Sequence, residues 1–193
     1  LTNTRSFEFT LLVPMPRNEA VAHLVLRDNT GKESKHSFTI NPKDALIRDN
    51  SGVEPLPYTY IHKGGDSKSA IDVVILAEGY TAEEMELFME DARITAEEIL
   101  SYEPFNSHRE KFNFIAVSTP SLDSNVSVPQ QGAWRNTAVS SHFMTFYMAR
   151  YLTTSNVYDM FNLVTNIPCE HFVILANTDT YGGGGIYNSY TLT

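Results

Sequence analysis

Residues 71–100, IDVVILAEGYTAEEMELFMEDARITAEEIL, leave the chain few choices of architecture. The almost unbroken apolar run at 71–77 has the pattern of a strand covered on both faces, as in a sheet with helices packed on it. Gly79 then turns the chain. Thr81 and Glu84 stand in Thr-x-x-Glu capping-box spacing, with Glu83 placing further negative charge near a helix N-terminus. Met85, Phe88, Met89, Ala92, Ala96, Ile99 and Leu100 recur every three or four residues, so one stripe of the helix packs on the sheet until Pro104 stops it. The core is α/β. Phe112 opens FNFIAVS at 112–118, and His171 opens HFVILA at 171–176, which supply a second and a third strand. The first strand, helix and second strand make a β-α-β unit with parallel pairing.

Ahead of this core, residues 6–13 and 20–26 read as half-buried strands. Asp28-Asn29-Thr30-Gly31 is turn chemistry before a further strand at 34–40, so a hairpin is expected. Three short strands bury too little to stand alone, so they read as the end of a β-sandwich whose earlier strands would precede Leu1, or as strands leaning on the core. Residues 49–68, with Gly52, Pro55, Pro57, Gly64 and Gly65, have the composition of a connector, which puts the domain boundary near residue 66: 1–65, then 66–193.

Charge and hydropathy exclude some partners. With 23 acidic against 14 basic side chains, a net charge of −9, the surface repels phosphate, and nucleic acid and anionic membrane are poor partners. No apolar run reaches membrane-spanning length, and the N-terminal residues lack a signal-peptide pattern. Cys169 is the only cysteine, which rules out an internal disulfide and a cysteine-based zinc cage.

Beyond the second strand, residues 119–137 form a long polar loop that includes Trp134, a length at which loops are usually functional or disordered. Ser140 or Ser141 is placed to cap a helix running to Leu152, with Phe143, Phe146, Tyr147 and Tyr151 on its apolar face. Ser155 is placed to cap the next, with Val157, Met160, Phe161 and Val164 on one side.

Gly182, Gly183, Gly184 and Gly185 form the most unusual local feature. A phosphate loop does not fit, because neither Gly-Lys-Ser/Thr nor a following helix is present. Side-chain-free backbone beside a strand instead offers hydrogen bonds to an extended peptide, and a flexible turn is the plainer alternative. The histidines do not stand at H-E-x-x-H spacing, and Glu170-His171 leads straight into a strand. Ser140 or Ser141 with His142 and Asp123 lacks a G-x-S-x-G elbow and reads better as capping. Asp123, Ser124 and Asn125 carry oxygens suited to a structural calcium ion or to a turn. Glu78, just past the first strand, lies where α/β proteins place functional groups, or is a solvated turn residue.

Taken together, DVVILAEGYT from Asp72, EPFNSHREKFNFIAVSTPSLDSNVSVP from Glu103, NTAVSSHF from Asn136 and ILANTDTYGGGGIYNSYTLT from Ile174 resemble the immunoglobulin A peptidase family of zinc metallopeptidases over roughly residues 66–193. The resemblance implies a zincin-like mixed sheet with packed helices, preceded by a partial antiparallel β-sandwich module. It also implies a secreted, periplasmic or cell-surface zinc endopeptidase of bacterial type that hydrolyses peptide bonds in protein substrates. In the family the zinc helix with H-E-x-x-H follows the segment that resembles residues 181–193. The zinc ligands and general base are therefore expected beyond Thr193, in a C-terminal half of the catalytic domain, and these residues alone are expected to be inactive. By the same analogy Gly183, Gly184, Gly185, Ile186, Tyr187 and Asn188 would be the edge strand that binds substrate. The alternative is a noncatalytic extracellular module that binds protein or glycan on a peptidase-like fold.

Overall fold

The computed structural model describes residues 13, 15–185 and 190–193, which fall into two units, one within Leu11–Gly52 and the other within Val53–Thr193. In the first, β1 (Ala20–Arg27) pairs antiparallel with β2 (Glu33–Ile40), from Ala20 opposite Ile40 to Arg27 opposite Glu33. The turn is built as its residue types dictate. Asp28 Oδ1 accepts hydrogen bonds from Thr30 N, Thr30 Oγ1 and Lys32 N at 2.6–3.0 Å, and Gly31 takes φ +83°. Those bonds hold the Asp28 carboxyl below its ordinary pKa. Val21, Val25, Leu26 and Phe38 are each about half exposed on this hairpin. Of the strand expected at 6–13, only Val13 is among the described residues, and it lies outside any strand.

The second unit is built on a mixed sheet in the order β3-β5-β4-β6-β7, where β3 is Tyr58–Lys63, β4 Ile71–Glu78, β5 Phe112–Val117, β6 His171–Ala176 and β7 Thr191–Leu192. β4 is central and parallel to both β5 and β6; β7 is parallel to β6, and β3 antiparallel to β5. Because side chains alternate along a strand, Val73, Ile75 and Ala77 face one side and Val74 and Leu76 the other. On the first side lies α1 (Met85–Ser101), burying Phe88, Ala92, Ala96 and Leu100, the stripe its spacing predicts. Its entry is held by Thr81 N donating to Glu84 Oε2 at 2.8 Å.

Part of the expected connector is a strand. Tyr58 to Lys63 pair with β5, because aromatic and β-branched residues occupy the pairing positions while Pro55 and Pro57 precede them and Gly64 and Gly65 follow. Gly64 passes so close to Arg109 O and Phe112 O that a Cβ would collide with both.

The other sheet face departs from expectation. Residues 140–152 do not form a helix: Ser140, Met144, Phe146 and Tyr147 all have positive φ, and only a single 3₁₀ turn, Thr145–Tyr147, is present. Phe143 and Leu152 are buried, but Phe146 and Tyr147 are 67% and 93% exposed, so the supposed apolar face is not one. The backbone is used sideways instead, His142 pairing with Thr153 and Tyr151 with Gly183. The next helix, α2 (Val157–Leu163), does form, starting from Asn156, one residue beyond the expected cap, and burying Val157 and Met160. The loop at 119–137 is neither loose nor wholly exposed, since it buries Val126 and Val128 in the core on this face and makes a short 3₁₀ turn at Pro129–Gln131.

Candidate functional site

The carboxyl end of β4 gathers the buried polar chemistry of the sheet. β5 continues from β4 on one side and β6 lies on the other, so the strand order reverses beside β4, the position where open α/β sheets leave a crevice. Here the crevice is filled by the chain's own polar groups. Glu78 has no solvent exposure. Its Oε1 accepts from Thr137 Oγ1 at 2.6 Å and from Ser141 N at 2.8 Å, and its Oε2 accepts from Val139 N at 2.9 Å. Three neutral donors thus converge on one carboxylate, which replaces the water lost on burial. Glu78 is therefore not a solvated turn residue but the anchor of the 137–141 loop. Glu78 and Thr137 come from two of the stretches that carry the family resemblance, which the fold brings together.

The neighbouring residues complete the anchor. Gly79, at φ +75°, has Asn125 O within 2.6 Å of where a Cβ would be. Its N–H donates to Ser121 Oγ, its carbonyl accepts from Asn125 N and Asn177 Nδ2, and Ser121 Oγ also accepts from Ala138 N. Thr119 Oγ1 donates to Ala77 O at 2.7 Å.

From the anchored loop a lateral series of backbone contacts reaches the glycine run. His142 N and O pair with Thr153 O and N, Gly183 N donates to Arg150 O at 3.0 Å, and Leu152 N donates to Gly183 O at 3.4 Å. On its other side, Gly184 exchanges two hydrogen bonds with Leu192, at 2.9 and 2.7 Å. The glycines are required by this packing. A Cβ on Gly182 would strike Phe143 and Arg150 O, one on Gly183 would lie 2.7 Å from Leu192 O, one on Gly184 2.9 Å from Thr153 Cγ2, and one on Gly185 2.5 Å from Tyr190 O.

This corrects how the run works. Both backbone polar groups of Gly183 and of Gly184 are already paired within the chain, so neither offers the free edge expected of it, and the room left by missing side chains is taken by neighbouring backbone. Gly185 is exposed; Ile186, Tyr187 and Asn188 lie outside the described residues. What the ribbon does present is two adjoining pockets that meet at Tyr151. One is lined by Arg150, Tyr151, Tyr181, Gly182 and Gly183, the other by Phe146, Tyr151, Thr153, Gly184 and Gly185. Sequence reasoning passed over Arg150 and Tyr181, because nothing local distinguishes them from other surface residues.

The remaining candidates have ordinary structural partners. Asp123 Oδ2 accepts from Asn136 N, Ser124 Oγ donates to Glu84 Oε1, and Asn125, at φ 71°, accepts from Val126 N, which is turn chemistry. His142 Nδ1 lies 2.8 Å from Phe143 O, while Ser141 Oγ is buried and has no hydrogen-bond partner among the described residues, so the two do not form a dyad. Glu170 Oε2 accepts from Asp72 N at 2.6 Å, which accounts for its place ahead of β6. Trp134 is 70% exposed.

Fold and site together define an α/β protein whose sheet carries, beyond β7, an extended glycine ribbon tied back to the central strand. The chain belongs to the IgA peptidase M64 family, whose sequence profile matches residues 59–193, and it is thereby related to metallopeptidases. That match takes in β3 as well as the α/β core. No curated protein matches the chain. The family implies a metal cofactor, yet among the described residues no three His, Cys, Asp or Glu side chains are grouped so that they could share a metal ion. They do not fit the metal. No helix among the described residues is long and apolar enough to cross a membrane.

Proposed function

We propose that this chain is the sheet-forming front part of the catalytic domain of a secreted zinc metalloendopeptidase, in which the glycine ribbon faces the substrate. The observation that carries the reading is the family match over residues 59–193, which takes in both the Glu78 anchor and the ribbon. A zincin-like layout agrees with four parallel strands, β5, β4, β6 and β7, and a ribbon antiparallel to β7. The hairpin unit at Ala20–Ile40 would be the partial β-sandwich that precedes it. In this reading the ribbon contacts an extended peptide through its exposed face, with Gly183, Gly184 and Gly185 as floor. The described residues hold, shape and present; zinc and its general base come from donors outside them.

The test is cleavage of an unfolded protein by the enzyme in the form its host makes. Cleavage that a chelator stops and zinc restores supports the reading. Cleavage indifferent to chelators, or restored by calcium alone, overturns it. The 193 residues by themselves are expected to show no turnover in the same assay.

A further inference from the structure

The two pockets along the ribbon differ in chemistry. In the first, Arg150 and Tyr181 stand over Gly182 and Gly183, and the guanidinium carbon lies 5.8 Å from the Tyr151 ring centre. Among the described residues Arg150 is the only charged side chain lining either pocket. Among the described residues it has no ion-pair partner, the two pairs present being Arg27–Glu33 and Arg109–Glu97. In a protein of net charge −9, a cation beside the Tyr151 ring with no ion-pair partner among the described residues is suited to an incoming carboxylate. The second pocket, two residues further along the ribbon, carries no charge and is walled by Phe146, 67% exposed, and Thr153. Side chains i and i+2 of an extended peptide project to one face with the same two-residue repeat. Because Gly183 and Gly184 have no free main-chain groups, selectivity must come from these pockets rather than from added strand pairing.

We propose that the pair of pockets reads an extended peptide of the form acidic-x-apolar, with Asp or Glu on Arg150 and an aliphatic or aromatic side chain against Phe146. The proposal rests on the substrate-facing reading of the ribbon and names the substrate class. Arg150 is fixed for this task by its own carbonyl, which accepts the Gly183 N–H, so changing the side chain leaves that anchor intact.

The experiment is fluorescence anisotropy of the enzyme in the form its host makes, kept from turnover by a chelator, with labelled pentapeptides, Ala-Asp-Ala-Leu-Ala against Ala-Asn-Ala-Leu-Ala and Ala-Asp-Ala-Ser-Ala. The Asp peptide should bind about fivefold more tightly than its Asn counterpart, with the preference shrinking as salt rises. In Arg150→Gln that preference should vanish while the preference for Leu over Ser persists; an unchanged thermal midpoint shows that the variant is folded. Equal binding of the Asp and Asn peptides, or a preference that survives Arg150→Gln, overturns the acidic subsite and leaves the substrate-facing ribbon standing. Failure of all three peptides to bind overturns both.

Discussion

The two ends of β4 each bury a carboxylate with no exposure, and they treat it in opposite ways. At the carboxyl end, both oxygens of Glu78 are engaged by Thr137, Val139 and Ser141. At the amino end, Asp72 Oδ1 accepts from Asn113 Nδ2 at 2.7 Å and from Ser67 Oγ at 3.2 Å, while Oδ2 is buried and has no partner among the described residues. Cys169 lies on that side too, and burial, reinforced by the nearby Glu170 charge, pushes its thiol up to about 12. A buried carboxylate with both oxygens directed at donors organises the segment supplying those donors. One left half-satisfied organises less and costs more. The difference marks the Glu78 end as the one built to position something, and what it positions is the segment leading to the ribbon.

The comparison can be broken most directly at Glu78. Glu78→Ala orphans one hydroxyl and two buried N–H groups, and should lower stability by about 4 kcal/mol in urea unfolding. A loss below about 1 kcal/mol would mean that the 137–141 loop does not depend on the carboxylate. The paired amides sharpen the contrast. Glu78→Gln turns an NH₂ toward a donor and should cost about 2 kcal/mol, whereas Asp72→Asn keeps the Oδ1 acceptor, removes a poorly compensated charge and should stay within about 1 kcal/mol of wild type. Equal losses would erase the distinction between the two ends. Ser121→Ala, which removes the acceptor for Gly79 N and Ala138 N, should cost about 1.5 kcal/mol and raise amide exchange at Ala138.

The smallest effect lies at Glu84, whose carboxylate accepts from Thr81 N and Ser124 Oγ and is thereby held below its ordinary pKa of 4.5. A lowered folded pKa stabilises above the unfolded value and loses that contribution as pH falls through 4.5 toward the folded one. Glu84→Gln should therefore cost about 0.5 kcal/mol at pH 7, a figure reduced by solvent screening, and the gap from wild type should narrow as pH falls below 4.5. A gap that is constant with pH would remove the charged cap from the account.

What could be read in advance follows from the range of each interaction. The stripe Phe88, Ala92, Ala96, Leu100 and the Thr81–Glu84 entry are contacts within a few residues, so spacing alone reveals them. The Asp28–Gly31 turn is likewise local. Residues 140–152 carry aromatic spacing that suits a helix, but their backbone groups pair with Gly183 and with each other across the His142–Thr153 contact, and a helix would leave those partners unmet. Local pattern does not mark Tyr58–Lys63 as a strand for a related reason: its partner among the described residues, β5, follows some fifty residues later.

The same division governs the site. The residues alone established an α/β core, its helix, three of its strands with the first two parallel, and an unusual glycine run, because periodicity, capping and turn chemistry act between neighbours. The burial of Glu78, the pairing that consumes the backbone of Gly183 and Gly184, and the meeting of Arg150 with Tyr181 were decided by tertiary structure. Except for the Gly184–Leu192 pair, each depends on atoms from segments about thirty to sixty residues apart, whose proximity no local rule encodes.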